Sequence, residues 1–408
     1  MKIAMISLQD NPLTALHEPG AVGRRWHVAK LSQELHRLGH EVVVYTRRTD
    51  RRLPGRFRVD EGFEVVHVPA GPAERLGQDE VVPHIGEFSR FLCSRWSADA
   101  PDVIHAHHWT SGLAAVLSAR RTAIPVVQSF HGVAGGDSAE IERLVGRGAT
   151  GVVVTSGEEA DELSRLGVRR SRISVVPWGV DTGTFTPTGP ATARTGRLRV
   201  LAAGDLTPDD GIDDLIVALT VVSWTELVVV GGPDRRLLSG NAEYARLSEL
   251  AARHAVADRV SFLGRVPHAE MPALIRSSDV VACPQRTPSF GLVPLEAMAC
   301  GVPVVASAVG GLAESVVHQV TGLHVPPHNP TPLARALRAL LGDEVRRQEL
   351  GAAAQDRVRI RYAWDRVAHD VVRAYQRATG PEVITAQRAP AQAYARLRRA
   401  LAGEEGTG

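Results

Sequence analysis

The chain of 408 residues contains few cysteines, no excess of one charge and no long hydrophobic run. Its three cysteines, Cys93, Cys283 and Cys300, are far apart and lack the paired spacing of zinc sites and disulfide frameworks. Lysine and arginine together number 47, and aspartate and glutamate 45, which leaves a formal net charge of +2. Because the global field is weak and no basic helix or aromatic stacking platform is visible, we expect no nucleic-acid partner. Any anion site must therefore be local.

The N-terminal stretch MKIAMISL is a short apolar run that ends at Gln9 and Asp10. It is too short for the core of a signal peptide or for a membrane span, so it predicts a first β-strand. The scattered cysteines suit a reducing compartment. We therefore expect a cytoplasmic protein without an integral membrane segment.

Short apolar runs rich in valine and isoleucine recur along the chain. The first half contains KIAMISL, EVVVYT, FEVVHV, DVIHAH, IPVVQSF, TGVVVTS and ISVVP, and the second half contains LRVLAA, ELVVVGG, RVSFLG, DVVACP and VPVVAS. Nearly continuous apolar runs are typical of parallel strands buried on both faces. Helical patterns lie between them, such as RRWHVAKLSQELHRLGH. The sequence thus predicts an α/β fold with two Rossmann-like, doubly wound domains that face a central cleft.

The alternation of strands and helices is interrupted at the turn-rich stretch PWGVDTGTFTPTGPATARTGR. A chain of this length exceeds a single hydrophobic core, so we place a linker there. The prediction is an N-terminal domain over residues 1–180, a linker over 181–196 and a C-terminal domain over 197–362. Residues 363–380 are expected to form a helix that crosses back to the first domain, followed by a tail over 381–408.

Four stretches together resemble a known family: FGLVPLEAMACGVPVVASAVGGLAE, VVPWGVDTGTFTP, DVIHAHHWTSG and LGHEVVVYT. They are similar to the retaining glycosyltransferases of the GT4 group, which have the GT-B fold, and the resemblance runs to about Ala378. It implies transfer of a sugar from a nucleoside-diphosphate donor on the C-terminal domain to a small-molecule acceptor on the N-terminal domain. It also implies no metal and no cofactor apart from the nucleotide sugar, because protein cations and helix N-termini hold the leaving diphosphate.

The resemblance assigns roles to individual residues. Glu296 matches a glutamate that holds the ribose hydroxyls of the nucleotide, and His131 matches a histidine that faces the donor sugar and is the expected catalytic residue. Gly291 and Leu292 match a turn whose backbone N–H groups approach the phosphates or the sugar. The full expected donor-binding set is Gly23, Gly204, Ser289, Phe290, Gly291, Leu292 and Glu296.

Several histidines lie in the strand DVIHAH and directly after it. His105 and His107 share one face of the strand, but neither a carboxylate cluster nor a helical HExxH spacing accompanies them, so we expect no metal site. We expect His107, His108 and Trp109 to line the acceptor cleft.

Four positions depart from the family's pattern. Asp205 and Asp210 stand where active members usually have an arginine and a lysine, and Pro288 stands at the first glutamate of the family's pair. Val22 replaces one glycine of an N-terminal diglycine. Replacing two cations by two anions changes the local charge by four units. Each charge interacts with a phosphate charge by roughly 3 kcal/mol at about 6 Å and an effective dielectric near 20.

Two features complicate this interpretation. Asp209 and Asp210 precede the helical pattern GIDDLIVAL, where acidic residues cap free N–H groups. Capping does not explain the loss of arginine, lysine and glutamate at three separated positions. In addition, Arg24, Arg25 and Arg286 are cations that could replace the missing ones, because guanidinium groups suit phosphate.

The sequence leaves three hypotheses. The first is an active retaining glycosyltransferase. The second is a pseudo-glycosyltransferase, which binds a nucleotide-linked sugar or cyclitol and performs another coupling or none. The third is a non-catalytic GT-B protein that supports a true transferase and therefore has a protein partner.

Overall fold

A computed structural model describes residues 1–17, 23–132, 138–287 and 291–380. These residues divide into two compact units. The first contains Met1–His17, Arg24–Val176 and the described residues from Ala368 onward, and the second contains Gly23 and Pro177–Val367. Each unit has one largely parallel sheet with helices between its strands, which confirms the predicted α/β fold.

The first unit contains eight strands. They are β1 Lys2–Ile6, β2 Glu41–Arg47, β3 Arg56–Arg58, β4 Glu64–Val68, β5 Val103–His107, β6 Val126–Ser129, β7 Gly151–Val154 and β8 Ile173–Val175. Its helices up to residue 165 are α1 Pro12–His17, α2 Arg24–Arg37, α3 Gln78–Val81, α4 Ile85–Ala98, α5 Trp109–Thr122, α6 Ala139–Gly148 and α7 Gly157–Arg165.

The first sheet has the strand order β3-β4-β2-β1-β5-β6-β7-β8, and each pair is parallel except β3 with β4. In β1, Ile3 pairs with Val42 of β2 on one side and with Val103 of β5 on the other. The strand order therefore reverses at β1 and β5. In open parallel sheets, ligands bind beyond the carboxyl ends of the strands at such a reversal. The residues that follow β1 and β5 are thus the place to seek a site.

The second unit contains six strands: β9 Leu198–Gly204, β10 Thr225–Gly231, β11 Val260–Gly264, β12 Val280–Cys283, β13 Val304–Ser307 and β14 Gly322–Val325. Its helices are α8 Ile212–Leu219, α9 Ala242–Arg253, α10 Met271–Arg276, α11 Leu292–Ala299, α12 Gly310–Ser315, α13 Pro330–Leu341 and α14 Glu344–Arg361. The last described helix, α15 Trp364–Thr379, begins in the second unit and continues in the first.

The second sheet is parallel throughout, in the order β11-β10-β9-β12-β13-β14. Its order reverses between β9 and β12, which end at Gly204 and Cys283. Apolar cores cover both faces of this sheet, with Leu215 of α8 in one core and Leu295 of α11 in the other. Burial of one such side chain contributes about 1.5–3 kcal/mol. These cores fix the two helices that follow the reversal point.

A buried ion pair attaches the segment before β9 to the second sheet. Nε of Arg199 lies 2.6 Å from Oε1 of Glu226, and little of either side chain is exposed. Arg199 also donates to Oγ1 of Thr192 and to the carbonyl of Ala193, while the hydroxyl of Thr195 donates to Glu226. Loss of one partner would leave a charge buried without compensation. The network therefore holds this segment of the predicted linker against the sheet.

All twelve strands predicted from apolar runs are present, and β3 and β14 are additional. The sequence of β3 is RFR, and all three of its residues are exposed, as expected for a short charged edge strand. Because β3 contains no apolar run, the sequence pattern did not predict it. Helix α2 ends before Gly39, whose φ of 85° fits the predicted glycine stop. Among the described helices, none combines the length and the apolar character needed to cross a membrane.

Candidate functional site

Two histidines at the carboxyl edge of the first sheet have strained backbone conformations. His108 directly follows β5 with a φ of 71°, and His131 follows β6 after Phe130 with a φ of 61°. Residues other than glycine rarely adopt positive φ, and such strain is concentrated at functional sites. The two turns therefore mark this edge as a candidate site.

Four imidazole rings cluster at this edge. Nδ1 of His107 lies 2.9 Å from Nε2 of His131, and the two rings are stacked at 5.2 Å. His27 of α2 contacts both rings edge-on, at centroid distances of 5.8 and 5.1 Å. The ring of His105 packs 4.2 Å from that of His107 and is fixed by Oγ of Ser129 and the hydroxyl of Tyr375.

Burial keeps these imidazoles neutral. It lowers the pKa of His27 and of His105 to about 3, and it holds the pKa values of His107 and His131 well below 6.5. Desolvation is the first cause in each case, because the charged form loses its hydration inside the protein. Neutral imidazoles can donate or accept a proton, hydrogen-bond to a sugar hydroxyl or ligate a metal.

The sequence predicted only part of this cluster. It placed His105 and His107 on one face of a strand, which the structure confirms. It did not identify His27, whose nearness to His107 and His131 results from the packing of α2 beside the sheet. The available signal was the position of His27 next to Val28, at the start of the predicted buried stripe of α2. The catalytic role of His131 stays a prediction.

The residues predicted to line the acceptor cleft have different surroundings. Nδ1 of His108 lies 3.1 Å from Oγ1 of Thr110, which donates to Oε1 of Gln9 at 3.4 Å and so links the turns after β1 and β5. Burial lowers the pKa of His108 to about 3. The ring of Trp109 belongs to the hydrophobic core of the unit. Acceptor binding by these residues, and by His107, stays a prediction.

A polar cavity of about 160 Å³ lies within the first unit. Its wall consists of three arginines, two amides, two hydroxyls and two apolar side chains: Arg25, Arg47, Arg75, Gln9, Asn11, Thr14, Thr49, Leu76 and Val81. Arginine favours anions, and the amides and hydroxyls suit a ligand with many hydroxyl groups. Most of these residues were not singled out from the sequence, because they come from turns that are far apart along the chain.

The N-terminal cations already have a carboxylate partner. Nε of Arg24 lies 3.1 Å from Oδ2 of Asp10, and Nε of Arg25 lies 3.6 Å from Oδ1 of the same residue. Gly23, just before them, has a φ of 83°, which glycine tolerates. Val22 lies outside the described residues.

The turn after β9 is organised around Asp210. Its carboxylate accepts hydrogen bonds from the backbone N–H of Thr207 at 2.8 Å and from the hydroxyl of Thr207 at 3.2 Å. Burial raises the pKa of Asp210, and the charge of Asp205 adds to this shift. A Cβ on Gly204 would lie 2.3 Å from Oδ1 of Asp210, so a larger residue there would displace this carboxylate. Asp210 thus caps the short helical turn Pro208–Asp210 and not α8 as the sequence predicted, because the N-terminal cap residue of α8 is Gly211, which makes no side-chain hydrogen bond; Asp205 is exposed.

The third candidate cation, Arg286, is held by the same region. Its Nη2 lies 2.7 Å from Asp213 and 3.4 Å from Asp214, and its Nη1 donates to the carbonyl of Pro208 at 2.8 Å. The backbone N–H of Arg286 donates to the carbonyl of Asp209. Two carboxylates therefore compete with any phosphate for this guanidinium group.

Glu296 lies in α11 and is 3% exposed. Its Oε1 is 2.6 Å from Nε2 of His268, which packs against the ring of Phe185. Gly291 is the N-terminal cap residue of α11, and Leu292 is the first residue of the helix. The partner His268 was not predicted; its signal was its position shortly after the apolar run RVSFLG. Pro288, Ser289 and Phe290 lie outside the described residues.

Comparisons with known proteins agree with this architecture. Residues 22–179 match the family described as "Glycosyl transferase 4-like domain", and residues 190–357 match "Glycosyl transferases group 1". The D-inositol 3-phosphate glycosyltransferase of Xylanimonas cellulosilytica is 38% identical over 93% of this chain and 97% of its own. The chain belongs to the group 1 glycosyltransferases. A second relative with the same name, from Kineococcus radiotolerans, is 34% identical over 92% of this chain and 95% of its own.

Solved structures show the same GT-B fold for this glycosyltransferase. Sucrose-phosphate synthase from Thermosynechococcus elongatus has a TM-score of 0.80 and 27% identity, and the match covers 92% of this chain and 98% of the other. Anabaena HepE, solved in complex with UDP, has a TM-score of 0.71 at 20% identity over 91% of this chain and 99% of its own, a likeness of fold alone. The predicted resemblance to GT4-group enzymes is confirmed.

We expect the histidine cluster of this glycosyltransferase to make its stability dependent on pH. The unfolded chain binds protons at histidines below about pH 6.5, whereas folded His27 binds none until about pH 3, so the free energy of unfolding falls as the pH decreases. By pH 5.5, His27 alone accounts for a loss of about 1.4 kcal/mol. Urea unfolding at pH 7.5 and 5.5 measures this loss, which should be smaller by that amount in His27→Phe. An equal loss in both proteins would contradict the assignment.

Proposed function

We propose that this glycosyltransferase transfers a sugar, with retention, from a nucleoside-diphosphate donor to a small polyhydroxylated acceptor that carries an anionic group. The observation that carries this proposal is the buried carboxylate of Glu296, which His268 positions through a contact of 2.6 Å. A carboxylate accepts two neighbouring hydroxyl hydrogen bonds, which suits the diol of a ribose. The name of the relatives, D-inositol 3-phosphate glycosyltransferase, supports the same type of acceptor.

In the proposed reaction, the diphosphate of the donor binds at the N-terminus of α11. The first backbone N–H groups of a helix have no partner within the helix and favour negative charge, and Gly291 caps this end without a side-chain hydrogen bond. As the bond between sugar and diphosphate breaks, negative charge grows on the leaving phosphate, and aligned N–H groups stabilise it. For this transfer we propose no cofactor besides the donor.

The acceptor is proposed to bind in the polar cavity of the first unit. Arg47 is fixed there by hydrogen bonds from its guanidinium group to the carbonyls of Pro72 and Glu74, so its charge stays in place. Arg25 and Arg75 belong to the same wall and are the candidates for contacting an anionic group directly. Gln9, Asn11 and the threonines of the wall would then bind the hydroxyls of the acceptor.

We place this reaction in the cytoplasm. Cys93, Cys283 and Cys300 form no disulfide with one another, which fits a reducing compartment. Burial also raises the pKa of the Cys283 thiol and of the Cys300 thiol to about 12, which keeps both thiols protonated.

The carboxylates after β9 favour a second function, namely binding of a nucleotide conjugate without glycosyl transfer. Asp205 and Asp210 introduce negative charge at the carboxyl end of β9, and Arg286 is engaged by Asp213 and Asp214. A diphosphate would be opposed by the first pair and would have to compete with the second. Product analysis with a panel of nucleotide sugars separates the two functions, because the second predicts binding without a transfer product.

The first test of the proposed function changes Glu296. Loss of the charged acceptor in Glu296→Gln should weaken nucleotide-sugar binding by about 1.5–3 kcal/mol, or roughly 10- to 150-fold, in calorimetric titrations with a panel of nucleotide sugars. The matched control is Glu270→Gln, an exposed glutamate close in sequence to His268, which should bind like the wild type. Equal affinity in all three proteins would exclude Glu296 from the nucleotide site. Absence of binding even to the wild type would instead favour the non-catalytic hypothesis and its protein partner.

Restoring a cation after β9 should strengthen nucleotide binding. In Asp205→Arg, an exposed anion becomes a cation and the cap made by Asp210 is kept, so we expect nucleoside diphosphates to bind about tenfold or more tightly at low salt. The control Glu249→Arg makes the same charge change at an exposed position of α9. Titrations with a nucleoside diphosphate and with the corresponding nucleoside measure the effect. A gain that is equal for both ligands, or equal in both variants, would mean that the diphosphate does not lie beside Asp205.

A separate prediction concerns the binding of an anionic acceptor in the cavity. Arg75→Ala removes one guanidinium group from the wall, so binding of inositol phosphate should weaken by about 1.5–3 kcal/mol while binding of uncharged inositol stays the same. Both affinities can be measured by calorimetry in the absence of donor. The exposed arginine Arg90 of α4 is not part of the cavity wall, and Arg90→Ala is the control. An equal change for the charged and the uncharged ligand would argue against an anion contact at Arg75.

A further inference from the structure

Three imidazoles of the first unit converge closely enough to share one ion. His27, His107 and His131 each offer a ring nitrogen, and these three nitrogens all lie within 4.8 Å of one another. They come from three elements that the core holds in place: α2, the last residue of β5 and the strained turn after β6. We propose that these three histidines form a binding site for a divalent transition-metal ion of the zinc type.

The spacing of the nitrogens is close to that of a tetrahedral zinc site. Zinc bonds of about 2.0–2.1 Å to histidine place neighbouring ligand nitrogens roughly 3.3 Å apart. The pair formed by Nδ1 of His107 and Nε2 of His131 is 2.9 Å apart, so binding needs this distance to open by a few tenths of an ångström and both rings to turn until the two facing nitrogens point at the ion. The nitrogen of His27 lies within 4.8 Å of the other two and has to approach them for coordination.

The chemical type of the three ligands favours transition metals over magnesium and calcium. It contains three imidazoles and no carboxylate, which suits zinc, cobalt or nickel and does not suit magnesium or calcium, because these two prefer oxygen ligands. Three histidines also leave a fourth coordination position open for water or for an oxygen atom of a ligand. The site therefore differs from the sequence-based expectation of a protein without metal, which considered His105, His107 and His108 but not His27.

Coordination by both His107 and His131 changes the position of one proton. A histidine ligates a metal through an unprotonated ring nitrogen. In the hydrogen bond between His107 and His131, one facing nitrogen carries a proton. When both nitrogens ligate, this proton moves to the other nitrogen of the same ring, and the total proton count is unchanged.

The surroundings favour a defined ring orientation. His105 packs behind His107 and is held by two hydrogen bonds, to Oγ of Ser129 at 2.9 Å and to the hydroxyl of Tyr375 at 2.7 Å. This packing restricts rotation of the His107 ring. The positive charge of Arg24 acts on His107 and His131, and the ion pair between Arg24 and Asp10 reduces its repulsion of a cation.

The test is a zinc titration of the full chain after treatment with a chelator, without donor or acceptor. We expect one tightly bound zinc ion per chain and no binding of magnesium. His27→Gln should weaken zinc binding by about tenfold or more. The control His254→Gln changes an exposed histidine of the second unit and should bind zinc as the wild type does. Because neither substrate is present, the result is independent of the proposed transfer reaction.

A second variant and a spectroscopic measurement complete the test. If His27→Gln fails to fold, as judged by circular dichroism, His131→Gln takes its place. Cobalt added to the wild type should give the visible absorption of a four-coordinate ion, and the histidine variant should lose it. Equal zinc affinity in the wild type and a folded variant, or no tight zinc binding by the wild type, would overturn the proposal.

Discussion

Parallel pairing of buried strands is the constraint on which the rest of this structure depends. It brings the carboxyl ends of all strands except edge strand β3 to one edge of each sheet, so residues that are distant in sequence become neighbours there. In the first unit, this alignment sets His107 at the end of β5 beside Ser129 at the end of β6. In the second, it places the turn after β9 beside the loop that follows β12, where Arg286 donates to Pro208. Both candidate sites result from strand register.

The two units differ in the sign of the charged side chains at their candidate sites. The second unit concentrates carboxylates after β9, and it satisfies them internally through hydrogen bonds from Thr207 and the guanidinium group of Arg286. A group that binds its own partners well offers less to a ligand, which is why the proposed nucleotide site uses Glu296 and the start of α11. The first unit instead surrounds its cavity with arginines, which suits an anionic acceptor.

Burial gives the histidines of the first unit a common property. Desolvation holds His27, His105, His107 and His131 in the neutral form, with strongly lowered pKa values. Neutral rings can pack against each other without repulsion, which allows the stacked contact between His107 and His131. The same neutrality makes them suitable as ligands for a metal or as hydrogen-bonding partners of a sugar, at the cost of stability in acid.

The sequence by itself determined the α/β fold, the family and the location of most strands, because valine-rich runs and motifs such as PLEAMACG are local signals. It also pointed to His107, His131 and Glu296, since each stands near a predicted strand or motif. Only the tertiary structure decided their partners. His27 reaches the cluster through the packing of α2, His268 reaches Glu296 across 28 positions, and Arg286 reaches Asp213 across 73. Periodicity describes which face of an element is buried, whereas contacts between distant elements depend on how the sheet and its helices pack.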